Sequence, residues 1–313
     1  MALSLRRGAV TAITEEHAGL VRLEVDGTAC IAYPQLTGPV AVGDEVVVNV
    51  QARELELGSG GFDVLYVNLT RGLGLPSEAG AHVMKLPYTP LQLAVPHGEQ
   101  SVDLAELDGI PVVACSLHSQ VTPVCAALVG VRTAYVQVAG GALPVHLSDA
   151  LRALRERGLV DLTIGAGACF GGDVDCVNVY SAFALARARG AQVVVCALGP
   201  GIVGTGSSLG HGALSIVEAL NAAAALRGWP ILAVRVSEAD ERERHRGVSH
   251  HSRTILELCA ADVAVVDEPV DGSGWREACD GLALSHMGRG PDDDPAFFVS
   301  AFAAGRLARS LVR

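Results

Sequence analysis

Residues 191–212 read AQVVVCALGPGIVGTGSSLGHG. The first eight form a valine-rich apolar run of strand length, and the next fourteen hold six glycines and end beside His211. A helix is expected directly afterwards, at 211–227. Strand, loop and helix in that order make one unit of a parallel sheet with helices on both faces. From about residue 100 onward the same unit recurs. Strands are expected at 110–115, 133–138, 159–164, 191–198, 230–236 and 262–267, and helices at 101–108, 119–129, 148–157, 174–189, 211–227 and 252–260. Gly109, Gly130, Gly158, Gly190 and Gly228 each mark a passage from helix to strand, and Ser119, Ser148, Asp173 and Ser252 are candidate N-caps. Two further helices are expected at 275–287 and 295–311. The reading for residues 101–313 is α/β: a mostly parallel, Rossmann-like doubly wound sheet with C-terminal helices.

Residues 1–70 follow a different pattern. Five β-branched, alternating stretches (8–14, 20–25, 28–33, 45–50 and 62–69), with Asp26–Gly27 as a hairpin turn, predict a small all-β barrel, SH3-like or OB-like. Residues 71–100, punctuated by Pro76, Pro87, Pro90 and Pro96, are read as a connecting segment. The barrel stretch is neither basic nor interleaved with aromatics, so it reads as a packing or interaction module.

Composition narrows the function classes. Half of the 313 residues are apolar and only 4% are aromatic, which suits parallel strands covered by close-packed helices. A net charge of −11 opposes non-specific binding to nucleic acid or to an anionic membrane. The one dense basic run, RERHR at 242–246, mixes signs and reads as a solvated face. Eight cysteines without a C-x-x-C pair, several inside apolar runs, point to reduced thiols and a cytoplasmic location. No stretch reads as a signal peptide or a membrane span. Of the 23 basic residues only Lys85 is lysine, which makes it a candidate anion contact against the alternative of a chance survivor among arginines.

In an open parallel sheet ligands bind at the carboxyl ends of the strands. The expected loops there are long and varied, at 116–120, 139–146, 165–175, 199–212 and 237–252, and four of the five carry histidine. The loop at 199–212 contains G-x-G-x-x-G at Gly199, Gly201 and Gly204, after a strand and before a helix. That strand is not the first of its domain, and Glu238 lies 34 residues past Gly204 (238 minus 204) where roughly 20 is expected of a dinucleotide site. A dinucleotide is therefore disfavoured. An anion cradle of Gly201, Gly204, Thr205, Gly206, Ser207 and Ser208 at a helix N-terminus is one reading, and a structural turn is the other. Ser116, Ser119, Gln120 and Arg246 on neighbouring loops are further candidate anion contacts. His118, His211, His250, His251 and Asp173 are candidate catalytic residues. Imidazole and carboxylate together suit a divalent Zn, Mn or Fe, and without a metal they suit acid–base work near neutral pH.

HVMKLPYTPLQ (82–92), CSLHSQ (115–120), GAGACFGGD (165–173), GPGIVGTG (199–206), RHRGVSHH (244–251) and MGRGPDDDPAFF (287–298) resemble the motifs of a family of bacterial proteins catalogued only as a domain of unknown function. The resemblance runs over nearly the whole chain. It implies no activity and no residue roles, only that these loops, Lys85 included, define the family. The residues themselves lead to a cytoplasmic enzyme acting on a small anionic, for example phosphorylated, ligand in a crevice at the carboxyl edge. A homodimer is compatible with base rates alone. The alternative is a non-enzymatic small-molecule sensor or scaffold whose barrel contacts a partner protein.

Overall fold

The computed structural model of the chain describes residues 3–56, 61–71, 74–75, 78–100, 103–266 and 270–312. Pro76 of the expected connection, residues 101–102 of the first expected helix and Asp267 of the last expected strand lie outside them. The chain divides into two compact units, 1–95 and 96–313.

The first unit contains β1 (Leu5–His17), β2 (Leu20–Val25), β3 (Thr28–Ala32), β4 (Glu45–Asn49) and β5 (Asp63–Asn68), closed into a barrel in the order β1-β2-β3-β5-β4. β1 is long enough to pair with β4 through its first half and with β2 through its second. Asp26 and Gly27 both take positive φ, as the tight turn from β2 to β3 requires. Inward residues such as Val10, Leu23, Val25, Val46, Val48 and Leu65 fill the interior. β6 (Val83–Lys85) and β7 (Leu93–Val95) form a separate antiparallel hairpin.

The second unit is built on β8 (Pro111–Cys115), β9 (Thr133–Val138), β10 (Leu162–Ala166), β11 (Val174–Cys176), β12 (Val193–Leu198) and β13 (Trp229–Ala233). They form one all-parallel sheet in the order β11-β10-β9-β12-β8-β13. Both faces are covered, and the pleat decides which residue goes where. Val194, Cys196 and Leu198 of β12 pack with helices Val179–Ala188 and Ser215–Ala225. Val193, Val195 and Ala197 pack on the other face with helices Val121–Ala126, Asp149–Glu156 and Pro295–Leu311. All six residues of β12 are buried, which is why the strand reads as an uninterrupted apolar run.

Several expectations are corrected. Residues 262–266 are not a strand: Ala264 makes a single parallel bridge to Ile231. The sixth strand is instead β11, in a stretch expected to be helical. The helix there begins only at Val179, because Asn178 rather than Asp173 supplies the cap, accepting from Ser181 N. Residues 103–108 form no helix, since Leu107 N and Gly109 N donate to Leu226 O and Arg227 O. The helix expected at 275–287 is reduced to Trp275–Ala278. Ser249, not Ser252, caps helix His250–Leu258. The Ser252 hydroxyl receives Arg235 N instead. No helix among the described residues is long and apolar enough to cross a membrane.

The segments after β9 and β12 are pressed together backbone to backbone. Val203 N donates to Gly140 O at 3.1 Å and Ala142 N to Pro200 O at 2.8 Å. A Cβ on Gly212 would overlap Gly140 O, whereas one on Gly206 would meet nothing. Gly212→Ala should therefore lower stability by about 1–3 kcal/mol through overpacking, and Gly206→Ala should change it by no more than about 0.5 kcal/mol. Urea unfolding of the two variants measures the contrast, and equal midpoints would refute the close contact.

Candidate functional site

All strands of the large sheet are parallel, so the segments leaving their carboxyl ends emerge at one edge. The segment after β12 folds back on itself: Gly204 and His211 form an antiparallel bridge, and Gly212 N donates to Val203 O. His211 thus stands at the foot of a finger whose tip, 205–209, is exposed. The segment after β13 returns through a two-stranded ribbon, β14 (Val236–Ser237) with β15 (Gly247–Val248). Helix His250–Leu258 starts immediately after it. Ser249 Oγ accepts His251 N at the helix start and holds His245 Nδ1 at 2.8 Å.

These elements bring four imidazoles together. The rings of His211 and His251 stack at 3.8 Å, His250 and His251 lie 4.4 Å apart, and His245 lies 4.8 Å from His250 and 4.9 Å from His251. One ligand atom from each of His211, His250 and His251 falls within 4.8 Å of the others. Both ring nitrogens of His211, Nε2 of His250 and Nδ1 of His251 are buried without a hydrogen-bond partner. Burial is the main force on their titration. It drives His251 down to about 2 and His245 to about 3, and lowers His250, with neighbouring histidines and Arg235 adding to the effect. His211 is also lowered, chiefly by burial, with the Ser208 backbone pulling the other way without a hydrogen bond of full geometry. The rings are neutral at physiological pH, so their lone pairs are available to a Lewis acid.

A charged frame supports the cluster. Asp240 is 1% exposed and its Oδ2 meets Arg242 at 2.9 Å, Arg235 at 3.1 Å and Arg289 at 3.4 Å. Desolvation works against this carboxylate, but the Arg242 side chain and amide and the charge of Arg235 outweigh it and hold its pKa far below the usual range. Arg289 Nε also pairs with the buried Asp294, which accepts Ser237 Oγ and Glu238 N. Arg235 itself is 3% exposed and, despite Asp240, burial draws it down to about 10. Its Nε has no partner. His286 stacks on Phe297 at 3.8 Å and shares Nδ1 with Ser119 Oγ at 3.3 Å, while its Nε2 is buried and unpartnered.

The other expected site residues take different places. Thr205, Gly206, Ser207 and Ser208 do not sit at a helix N-terminus. Thr205 N is held by Gly210 O and Ser207 N by Thr205 Oγ1, and the first helical turn begins only at Gly212. Gly201, with φ of 71°, turns the chain before the finger, and Gly204 is in its stem. His118 has both nitrogens engaged, Nδ1 with Leu198 O and Nε2 with Ser148 Oγ, and its ring contact is Tyr135. Burial holds it at about 4. Ser116 donates to Gln120 Oε1 and Gln120 Nε2 to Ala233 O. Asp173 is bound by Arg155 and by the amide and hydroxyl of Thr163. Arg246 is exposed and reaches Asp240 O at 3.4 Å. Lys85 is buried on β6 of the first unit.

Sequence reasoning missed His245, His286, Arg235 and Asp240. A signal existed for Arg235, a lone arginine in the expected apolar strand PILAVRV. His245 was hidden in the mixed-sign run at 242–246, which reads as solvated although the ring is 2% exposed.

A family model described as a protein of unknown function (DUF3866) matches residues 29–278. The matched span includes His211, His245, His250 and His251 and ends before His286. No curated protein matches the chain.

Asp173 gives the pH prediction. Desolvation raises its carboxyl, but Arg155 and Thr163 together outweigh this and hold it below its ordinary 3.8. A folded value below the unfolded one stabilises above the unfolded value, and that gain is lost as pH falls through the folded value. Asp173→Asn should cost about 1–2 kcal/mol at pH 7, allowing for screening of a partly exposed pair. The difference from the unsubstituted protein should shrink below about pH 4. Urea unfolding at pH 7 and pH 3 measures it, and a difference that does not change with pH contradicts the assignment.

Proposed function

The chain belongs to the DUF3866 family of unknown function, and we propose that it is a metal-dependent enzyme acting on a small anionic ligand at the carboxyl edge of the parallel sheet. The observation that carries this reading is the set of three imidazoles, His211, His250 and His251, with buried unpartnered nitrogens and ligand atoms within 4.8 Å. An unmet buried polar atom costs about 1–3 kcal/mol, so a group that satisfies several at once is strongly held. Three nitrogen donors without a carboxylate suit zinc-like borderline ions better than the harder Mn²⁺. Nitrogens around a tetrahedral ion stand about 3.4 Å apart at bond lengths near 2.0–2.1 Å, within reach of small side-chain rotations here. Three protein ligands leave one position open, the pattern of catalytic rather than structural sites. A bound ion of this kind supplies an activated water or polarises an oxygen of the substrate. His245 is a positioning residue: through Ser249 it is tied to the start of the helix that bears two of the ligands.

The sensor or scaffold reading has one observation in its favour. His118, Ser116, Gln120 and Asp173 are engaged with the backbone or with neighbouring side chains, among them Ser148, Thr163 and Arg155. That part of the edge serves as a wall, and the histidine cluster serves as the site. The finer fold assignments belong to the same reading. Helices on both faces of the all-parallel sheet support a Rossmann-like class. The barrel order, with one parallel contact between β3 and β5, supports the OB-like over the SH3-like form. Eight free cysteines support a cytoplasmic location.

The purified protein should bind one Zn²⁺ per chain by calorimetry after chelator treatment, with a rise in melting temperature. His250→Ala and His251→Ala should each weaken binding by about 100-fold or more, the upper end of the effect of removing an outer-shell partner. An unsubstituted chain that takes up no zinc, cobalt or nickel would sink the proposal.

A further inference from the structure

The histidine cluster takes a Lewis acid, but it leaves a second demand unmet beside it. Arg235 and His286 are nine-tenths or more buried, and each keeps one polar atom without a partner, Nε and Nε2 respectively. They are linked indirectly, through the Asp240 carboxylate and the main chain of Arg289. Arg235 and Arg289 both reach Asp240 Oδ2, and Arg289 is bridged by backbone hydrogen bonds to His286. Both free atoms are donors, or become so for His286 in the tautomer that accepts from Ser119 at Nδ1. The charge around them is unbalanced. Three guanidinium groups, of Arg235, Arg242 and Arg289, face two carboxylates, of Asp240 and Asp294. The positive charge of Arg235 also acts on all five imidazoles, of His211, His245, His250, His251 and His286. A dication held by three neutral imidazoles would add to this excess with no carboxylate ligand to offset it. Together with that dication, the surplus is best offset by an anion of more than one charge.

We propose that Arg235 Nε and His286 Nε2 anchor a phosphate group of the substrate. The inference deepens the reading of the same edge as a metal-dependent site by naming its substrate class. Its anchors are separate residues from the metal ligands, so the two readings can fail independently. A guanidinium suits this role because it stays charged when buried and is less strongly hydrated than an ammonium. The asymmetry of Arg235 fits as well: one terminal nitrogen is tied to Asp240, which fixes the plane of the group and aims Nε.

Calorimetry with inorganic phosphate tests this on the full chain, both zinc-loaded and metal-free. The zinc-loaded protein should bind one phosphate per chain. Arg235→Lys keeps a charge for Asp240 but removes Nε, and should weaken phosphate binding at least tenfold while zinc affinity stays within twofold. His286→Phe keeps the stack on Phe297 and removes Nε2, so it carries the test if the arginine variant does not fold. Thermal melts verify the fold of each. Phosphate affinity that is the same in the unsubstituted protein and in a folded variant overturns the proposal, as does an unsubstituted protein that binds no phosphate. Acetate or succinate binding as tightly as phosphate overturns the choice of phosphate over carboxylate. Phosphate bound without any zinc uptake leaves this inference standing and removes the metal reading. Zinc bound without phosphate does the reverse.

Discussion

The carboxylate of Asp240 is withdrawn from water and meets three guanidinium groups, and the geometry of the candidate site follows from that contact. An unpaired charge in such a place would cost several kcal/mol, so the loops that bring the arginines cannot drift apart cheaply. Arg242 closes the loop on itself, Arg289 draws in the segment before the last helix, and Arg235 comes from the end of β13. The main chain of Arg235 then fixes the next element. Its amide donates to Ser252 Oγ and its carbonyl accepts Ser249 N. Ser249 caps the helix on which His250 and His251 stand. One buried charge thereby sets the direction of two imidazoles that it does not touch.

His211 reaches the same place by another route. The glycines at 140 and 212 allow two main chains to approach more closely than any side chain would permit, and this fixes the foot of the finger after β12. Packing without Cβ atoms is a backbone constraint, whereas the Asp240 frame is electrostatic. The two constraints meet at the stacked rings of His211 and His251. The remainder of the carboxyl edge is closed by its own hydrogen bonds. The His118 ring ties Leu198 O to Ser148, and Gln137 reaches the carbonyls of Ala142 and Leu143. A stiff wall beside unmet donors and lone pairs is how a preorganised site differs from a loop cluster.

The sheet was legible in the sequence because its central strands are buried on both faces and read as apolar runs, as in PVVAC and VVVCAL. The edges were harder. The bridge at Ala264 and the short strand β11 are both marginal pairings at the margin of the sheet, and local pattern cannot rank them. The side-chain bonds of Asp173 to Thr163 decided the second, and they join residues on separate elements. The histidines at 211, 250 and 251 were legible because their loops follow strands. Their convergence with His118 and Asp173 was also expected, but the structure gathers only the three and ties His118 and Asp173 to partners elsewhere, a choice that rests on strand order, with β8 between β12 and β13, which a single sequence does not reveal. His286 was out of reach for the same reason: its partner Ser119 is 167 residues away. His245 lies in, and Asp240 just before, a run that looks solvated because its charges alternate, yet the pairing of Arg242 with Asp240 is part of what permits burial.

Neutral imidazoles beside an excess of arginine set the chemistry that this edge of the sheet presents. Protonating any ring would place a further positive charge next to Arg235, and burial already disfavours it. The rings therefore offer lone pairs, while Arg235 offers a proton donor and a charge. On the proposed reading, a cation alone would raise the positive potential around Arg235, and an anion alone would leave the lone pairs of His211, His250 and His251 unmet. The two together offset each other at short range in a medium of low dielectric, where such attraction is strongest. Binding of a metal ion and of an oxyanion should for that reason be mutually reinforcing, and linkage makes the reinforcement equal in both directions.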